Sequence, residues 1–425
     1  MLPEIFGFYR ELSMLGFTLF HPTDVMLHTP PVLKPCAMKI LIVSHSYIVD
    51  LNREKLRALA QLGPDIQVTI VVPKRWKPGG VMKDTIVSEP VNEGNFRVVP
   101  LSNFSQNNQG LLCFGLDLIP LLREFRPDVI QVEQGVKSIA YAELITLNKL
   151  LGLKAKCCFF TWWNLPYELK FPLSALERYN LNNTNGIVVG NQDGYHILRD
   201  RGYNGPMEIM PQLGVDEELF QAQPQPEIAA KLGIQPEDFV IGFVGRFVPE
   251  KGLKTLFQAA ARLENQTWKM LLLGRGPMQA ELQTLAAELG FADLLIQVES
   301  VPHADVYRYI NLMSTLLLPS ETSHDFQTLT AAGWKEQFGH VIIEAMACQV
   351  PVIGSDSGEI PNVIADAGLI FPEGNIEALH DCLHQLISDR DYAQTIGQKG
   401  YQRAMVKYTN QALAKDLLEF YRSLA

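Results

Sequence analysis

The chain has 425 residues, 47% hydrophobic and 19% charged, an ordinary globular composition with enough material for two buried cores. Its formal net charge of −10 argues against nucleic acid as the main partner, while leaving room for a local basic patch that meets phosphates or anionic lipid. Six cysteines, at 36, 113, 157, 158, 348 and 382, show no zinc-ligand spacing and read as reduced thiols of a cytoplasmic protein.

Residues 1–37 form an N-terminal extension. Its apolar stretch, residues 2–20, is interrupted by Glu4, Arg10 and Glu11, so it is too short and too charged to span a bilayer. It also lacks the basic start and small-residue cleavage site of a signal peptide. It is either an upstream extension or an amphipathic anchor lying on the cytoplasmic face of a membrane. From Met38 the pattern alternates: strands are expected at residues 39–44, 67–72, 128–132, 156–161 and 186–190, with helices at 52–62 and ending near Arg126. Residues 221–237, with Gln-Ala-Gln-Pro-Gln-Pro, suit a linker. The alternation then restarts, with strands at 238–244, 269–273, 294–298, 315–318 and 350–354 and a helix at 253–263. Apolar strands alternating with helices imply parallel sheets covered on both faces. The expected organisation is therefore two Rossmann-like α/β domains, residues 38–222 and 223–408, facing each other across a cleft, with a last helix within 409–425.

The most informative segment runs from Trp334 to Glu344. Glu344 is the only charge in an apolar helical run, so its carboxylate is expected to be buried and to need partners, and a ribose diol supplies two hydroxyl donors. Glu336, eight residues earlier, would lie about 80° away on an ideal helix, and Gly339 interrupts the helix, so Glu336 belongs to the preceding loop. Such a loop and helix start expose backbone N–H groups that attract phosphate. Upstream, Gly245-Arg246 ends a strand and Lys251 opens the next helix, bringing a planar guanidinium and a compact ammonium to one spot. Gly274 and Gly276 flank Arg275 after the following strand, a turn that also permits close approach of a ligand.

These segments resemble the signature of family 4 glycosyltransferases, retaining sugar-transfer enzymes of the GT-B fold. The resemblance implies that Arg246 and Lys251 hold the donor diphosphate and offset its developing charge. Glu336 would touch the donor hexose, and the backbone of Phe338, Gly339, His340 and Val341 would face the sugar and diphosphate. Glu344 would bind the ribose, and Gly245 and Gly274 would lie near the nucleotide. The segment Ser355 to Glu359 resembles the loop lining the donor pocket, and the family places a base contact near Glu299 to Pro302. The last helix would cross back to the first domain. No cofactor is implied beyond a nucleotide-sugar co-substrate, UDP- or GDP-linked, and the partner is a glycan or lipid-linked acceptor. No metal is expected: Asp389-Arg390-Asp391, the only Asp-x-Asp triplet, reads as a solvated turn.

The acceptor is expected in the first domain, near His45, Glu133, Trp162 and Trp163, all at strand ends. The glycine pair that family members often carry after the first strand is replaced by His45-Ser46, which weakens the case for donor contact there. One of the two tryptophans could equally be core, and Lys74 to Lys77 is either a solvated loop or a surface for anionic lipid. The same fold also serves nucleotide-sugar epimerases and non-catalytic binding modules.

Overall fold

The computed structural model describes residues 37–77, 84–264, 267–327 and 332–424. The anchor considered for the N-terminal extension lies outside these residues. In chain order the first sheet consists of β1 (Met38–Val43), β2 (Ile66–Pro73), β3 (Val91–Glu93), β4 (Phe96–Leu101), β5 (Val129–Val132), β6 (Lys156–Thr161), β7 (Gly186–Val189) and β8 (Met207–Ile209). Their spatial order is β8-β7-β6-β5-β1-β2-β4-β3. Every pairing is parallel except β3 with β4. The interior strands β5 and β7 are buried at every position, as an apolar run with helices on both faces requires.

The second sheet repeats the plan with β9 (Phe239–Val244), β10 (Trp268–Leu273), β11 (Leu295–Val298), β12 (Thr315–Leu318), β13 (Val352–Ser355) and β14 (Leu369–Phe371). Its order is β11-β10-β9-β12-β13-β14, all parallel. A hairpin of Ser323–Gln327 and Ala332–Trp334 is inserted after β12.

In each sheet the strand order reverses once, between β1 and β5 and between β9 and β12. The crevices beyond the carboxyl ends at such reversals are where open α/β sheets bind ligands. His45 and Glu133 follow β1 and β5, while Gly245 and Ser320 follow β9 and β12. Both candidate sites thus follow from topology.

Two apolar clusters match the two sheets. The first gathers residues from Met38 to Met210 and takes in Leu413 to Leu424 of the final helix, Asn410–Ser423. The second runs from Val215 to Tyr408. The last helix packs on helix Glu54–Gln61, and Phe420 and Leu424 close over Gly186. Trp162 packs against both clusters. No helix of the described residues is long and apolar enough to cross a membrane.

Candidate active site between the two sheets

Gly245 and Gly274 leave β9 and β10 with φ of 157° and 148°. A Cβ on Gly274 would stand 1.9 Å from the Gly245 carbonyl oxygen, so glycine is required for these strand ends to touch. Arg246, next in the chain, is exposed, and its guanidinium has no ion-pair partner among the described residues. Lys251 ends a short turn, Pro249–Lys251, and its ammonium pairs with the Glu336 carboxylate while lying 5.0 Å from the Trp334 ring centroid.

Glu336 sits in a loop, as its spacing from Glu344 implied, and is buried. The Ser320 hydroxyl donates to the same carboxylate oxygen that meets Lys251 (2.8 Å). Its backbone is fixed from two sides. The Asn164 side-chain amide of the first domain donates to the carbonyls of Lys335 (3.3 Å) and Glu336 (3.1 Å), and the Glu359 amide donates to the Glu336 carbonyl (3.2 Å). Loop Ser355 to Glu359 therefore acts from below: Ser355 Oγ donates to the Ser320 carbonyl, and the Glu359 carboxylate accepts from the Gln192 amide across the domain boundary (2.7 Å).

Gly339, at φ 81°, turns the chain into helix His340–Ala347. Of its first-turn amides, that of Ile342 donates to the Gly339 carbonyl (2.9 Å), while those of His340 and Val341 precede the first bond of the helix and remain for an anion. The Phe338 ring is not a ligand surface. It is buried between Trp162 (5.9 Å), His340 (5.8 Å) and Tyr408 (5.7 Å), which leaves its backbone for the role the resemblance gives it. His340 Nε2 donates to the Gly214 carbonyl (3.3 Å), and burial lowers its pKa, so its imidazole braces the connection between the domains. Val341 is half-buried on the second core. Glu344 is buried as expected, and its partner within the chain is His303, whose Nε2 donates to Oε1 at 3.0 Å.

In the first domain a cavity of about 700 Å³ opens beyond β1 and β5. His45, Glu133, Trp162 and Trp163 all line it, and Gln337 reaches it from the second domain. Their surroundings refine their parts. Glu133 is buried and its carboxylate is engaged by Gln131 Nε2 (3.0 Å) and Gln212 Nε2 (2.7 Å), so it shapes the wall and does not offer an open carboxylate. Trp162 donates from Nε1 to Gln212 Oε1 (3.1 Å) and lies edge-on to Phe160, which makes it the structural one of the pair. Trp163 is the better surface for a ligand, with the Lys137 ammonium 3.9 Å from its ring centroid and Tyr167 edge-on at 5.8 Å. Burial pushes Lys137 down to about 8. Burial also pushes His45 down to about 4; its ring lies 4.9 Å from Trp76, and its Nδ1 has no hydrogen-bond partner among the described residues. Of the basic run, Lys74, Arg75 and Lys77 are exposed and Trp76 is buried. Among the described residues no cluster of three or more His, Cys, Asp or Glu side chains is placed to hold a metal ion.

Residues 224–403 match the family model "Glycosyl transferases group 1". The second domain is thus similar to the group 1 glycosyl transferases. Among curated relatives, the capsular polysaccharide biosynthesis glycosyltransferase CapM of Staphylococcus aureus is 28% identical over 190 residues, 44% of this chain and 47% of that protein. The chain spans about half the length of the first curated relatives it matches. Two solved structures share the GT-B fold over 91% of the chain. A sucrose-phosphate synthase from Thermosynechococcus elongatus has TM-score 0.64 and 21% identity and is covered over 98% of its length. HepE of Anabaena, solved with UDP, has TM-score 0.66 and 18% identity and is covered over 100%.

The residues expected from sequence thus fall into three sets. Lys251, Glu336 and the Gly339–Val341 turn meet at the second-domain crevice, with Arg246 exposed beside the Gly274 turn. Glu344 lies on the same helix but faces His303. His45, Glu133, Trp162 and Trp163 share the first-domain cavity. Unforeseen are Asn164, Ser320, Gln212, Lys137 and His303. Asn164 had a legible signal, a polar residue directly after the strand-end tryptophans. The others come together only through tertiary folding.

Proposed function

We propose that the chain is a retaining glycosyltransferase that moves a hexose from a nucleoside-diphosphate sugar to a hydroxyl of a glycan or lipid-linked acceptor. The observation that carries this reading is the pair of half-buried Lys251 and buried Glu336, held at the junction of both domains by Asn164 and Ser320. A cation fixed in that setting offsets charge as it develops on the leaving diphosphate, with no reorganisation at the moment of reaction. In this mechanism the bond from the sugar's anomeric carbon to the diphosphate oxygen breaks. The acceptor oxygen bonds to the same face, and its proton passes to the departing phosphate. Lys251 and Arg246 meet the diphosphate, while Glu336 and the backbone of Phe338 to Val341 hold the sugar.

The first-domain cavity favours transfer over epimerisation, because an epimerase needs no room for an acceptor. A uridine donor is tried first, since the Anabaena neighbour holds UDP. The test is a screen of UDP-, GDP- and ADP-hexoses for slow donor hydrolysis, which a transferase shows without acceptor, followed by glycan and lipid acceptors. Hydrolysis that Glu336→Gln abolishes supports the assignment. Interconversion of one nucleotide sugar into another without release of nucleotide would replace it with the epimerase reading.

A further inference from the structure

His303 opens helix His303–Ile310, directly after the segment Glu299 to Pro302. Its imidazole is held from two directions. Phe220, on the segment leading out of the first domain, lies edge-on at 5.5 Å, and the Glu344 carboxylate accepts from Nε2 at 3.0 Å. The other charged or titratable groups facing it are Asp216, which favours its protonated form, and His340, which lies one turn from Glu344. Glu344 has 9% of its side chain exposed, while the His303 side chain keeps 45%. A carboxylate offers about four acceptor positions on two oxygens, and His303 takes one, on Oε1. Nothing else among the described residues donates to Oε2. A carboxylate in an apolar helix with no such donor would protonate or rotate away, losing the paired acceptors that a vicinal diol needs.

We propose that His303 is the positioning residue that orients Glu344 for the nucleotide: by holding Oε1 it presents Oε2 to the ribose diol, and so sets a preference for ribonucleotides over their 2′-deoxy counterparts. This rests on the reading of Glu344 as the ribose acceptor, and the experiment separates the two.

Binding of UDP, GDP and ADP and of the three 2′-deoxy nucleotides is measured by titration calorimetry for the full chain and for His303→Ala, His303→Gln and Glu344→Gln, with a thermal melt of each. The wild type is expected to favour the ribonucleotide it binds best by about 10-fold or more, the range of a charge-assisted hydrogen bond. His303→Ala should bring that preference to within about 3-fold, with an unchanged melt, while His303→Gln, which keeps an N–H donor, should retain most of it. If His303→Ala keeps the preference while Glu344→Gln loses it, His303 has no such role and the ribose reading survives. A preference unmoved by Glu344→Gln overturns both. Equal losses for ribo- and deoxynucleotides in His303→Ala overturn the proposal, because the histidine would then act on phosphate or base. Failure of the wild type to bind any of the six overturns both. Should Glu344→Gln not fold, the two His303 variants, changed at a half-exposed side chain, still decide the proposal.

Discussion

At the second-domain crevice the buried carboxylates are each met by a donor: Glu336 by Lys251 and Ser320, Glu344 by His303, Glu359 by the Gln192 amide. The first-domain cavity differs. Its one buried carboxylate, Glu133, is held by two neutral amides, its histidine carries an unpartnered Nδ1, and its exposed surface is aromatic. The first arrangement is preorganised around charge and suits a diphosphate; the second presents aromatic rings with the Lys137 ammonium against them and suits stacking against sugar or lipid. The two histidines carry the contrast furthest. Burial lowers the pKa of His45, whereas its hydrogen bond to Glu344 raises that of His303.

The sharpest way to break this comparison is at the charged crevice. Glu336→Gln and Lys251→Ala should each reduce turnover by about 10²–10³-fold, the usual result of removing one preorganised electrostatic group. Circular dichroism should be unchanged. Because the two are paired, the double variant should lose much less than the product of the two single losses. Full additivity in steady-state kinetics would mean that the pair does not act as a unit.

The next effect belongs to His45. Its folded pKa of about 4 lies below the ordinary value of 6.5, so the unfolded chain binds the proton first as pH falls. Stability is therefore unaffected above pH 6.5 and is lost on acidification towards pH 4, by roughly 3 kcal/mol. His303 runs the other way: its raised pKa contributes stability that is complete below pH 6.5 and lost as pH rises through the folded value. Urea midpoints of the wild type and His45→Gln at pH 7 and pH 4 check this. The variant should show a shallower acid loss, and identical losses would place His45 in contact with water.

The difference between the two regions also explains what could be read from the chain. The second-domain crevice is built from contiguous segments: residues 245–251 and 334–344 each hold several of its groups, so local spacing places Glu336 in a loop and buries Glu344. The first-domain cavity draws Lys137, Tyr167 and Gln212 from separate segments, and no local pattern links them. Strands were legible where runs are apolar and buried, as in β1, β2 and β9. Within the two large sheets the strands not foreseen are Val91–Glu93, Phe96–Leu101, Met207–Ile209 and Leu369–Phe371; three are short, and the fourth carries Arg97 and Pro100. The expected strand at 350–354 begins only at Val352, because Gln349 takes φ 59° and Pro351 follows.

A smaller perturbation tests how the loop under Glu336 supports it. Gly358 has φ 54°, and a Cβ there would fall 1.9 Å from the Glu336 carbonyl oxygen. Gly358→Ala should lower stability by about 1–3 kcal/mol through overpacking, and should also depress turnover because the displaced group is the Glu336 backbone. A melt shifted downwards with turnover unchanged would show that the Glu336 carboxylate is held by Lys251 and Ser320 alone.

The smallest expected effect concerns how the domains are joined. Lys335 and Asp193 form an ion pair across the boundary, at 2.5 Å, but both side chains are partly exposed. Such pairs contribute roughly 0–1 kcal/mol and weaken with salt, so Lys335→Ala should barely move the melt. Asn164 crosses the same boundary with a buried side chain that donates to two backbone carbonyls of the donor loop. Asn164→Ala takes the side-chain donor from the Lys335 carbonyl and leaves the Glu336 carbonyl with the Glu359 amide alone; it should cost about 1–3 kcal/mol, with a raised KM for the donor because the loop it fixes carries Glu336. If the surface pair proved the more costly of the two, long-range charge and not buried hydrogen bonding would be what holds the first domain against the charged crevice.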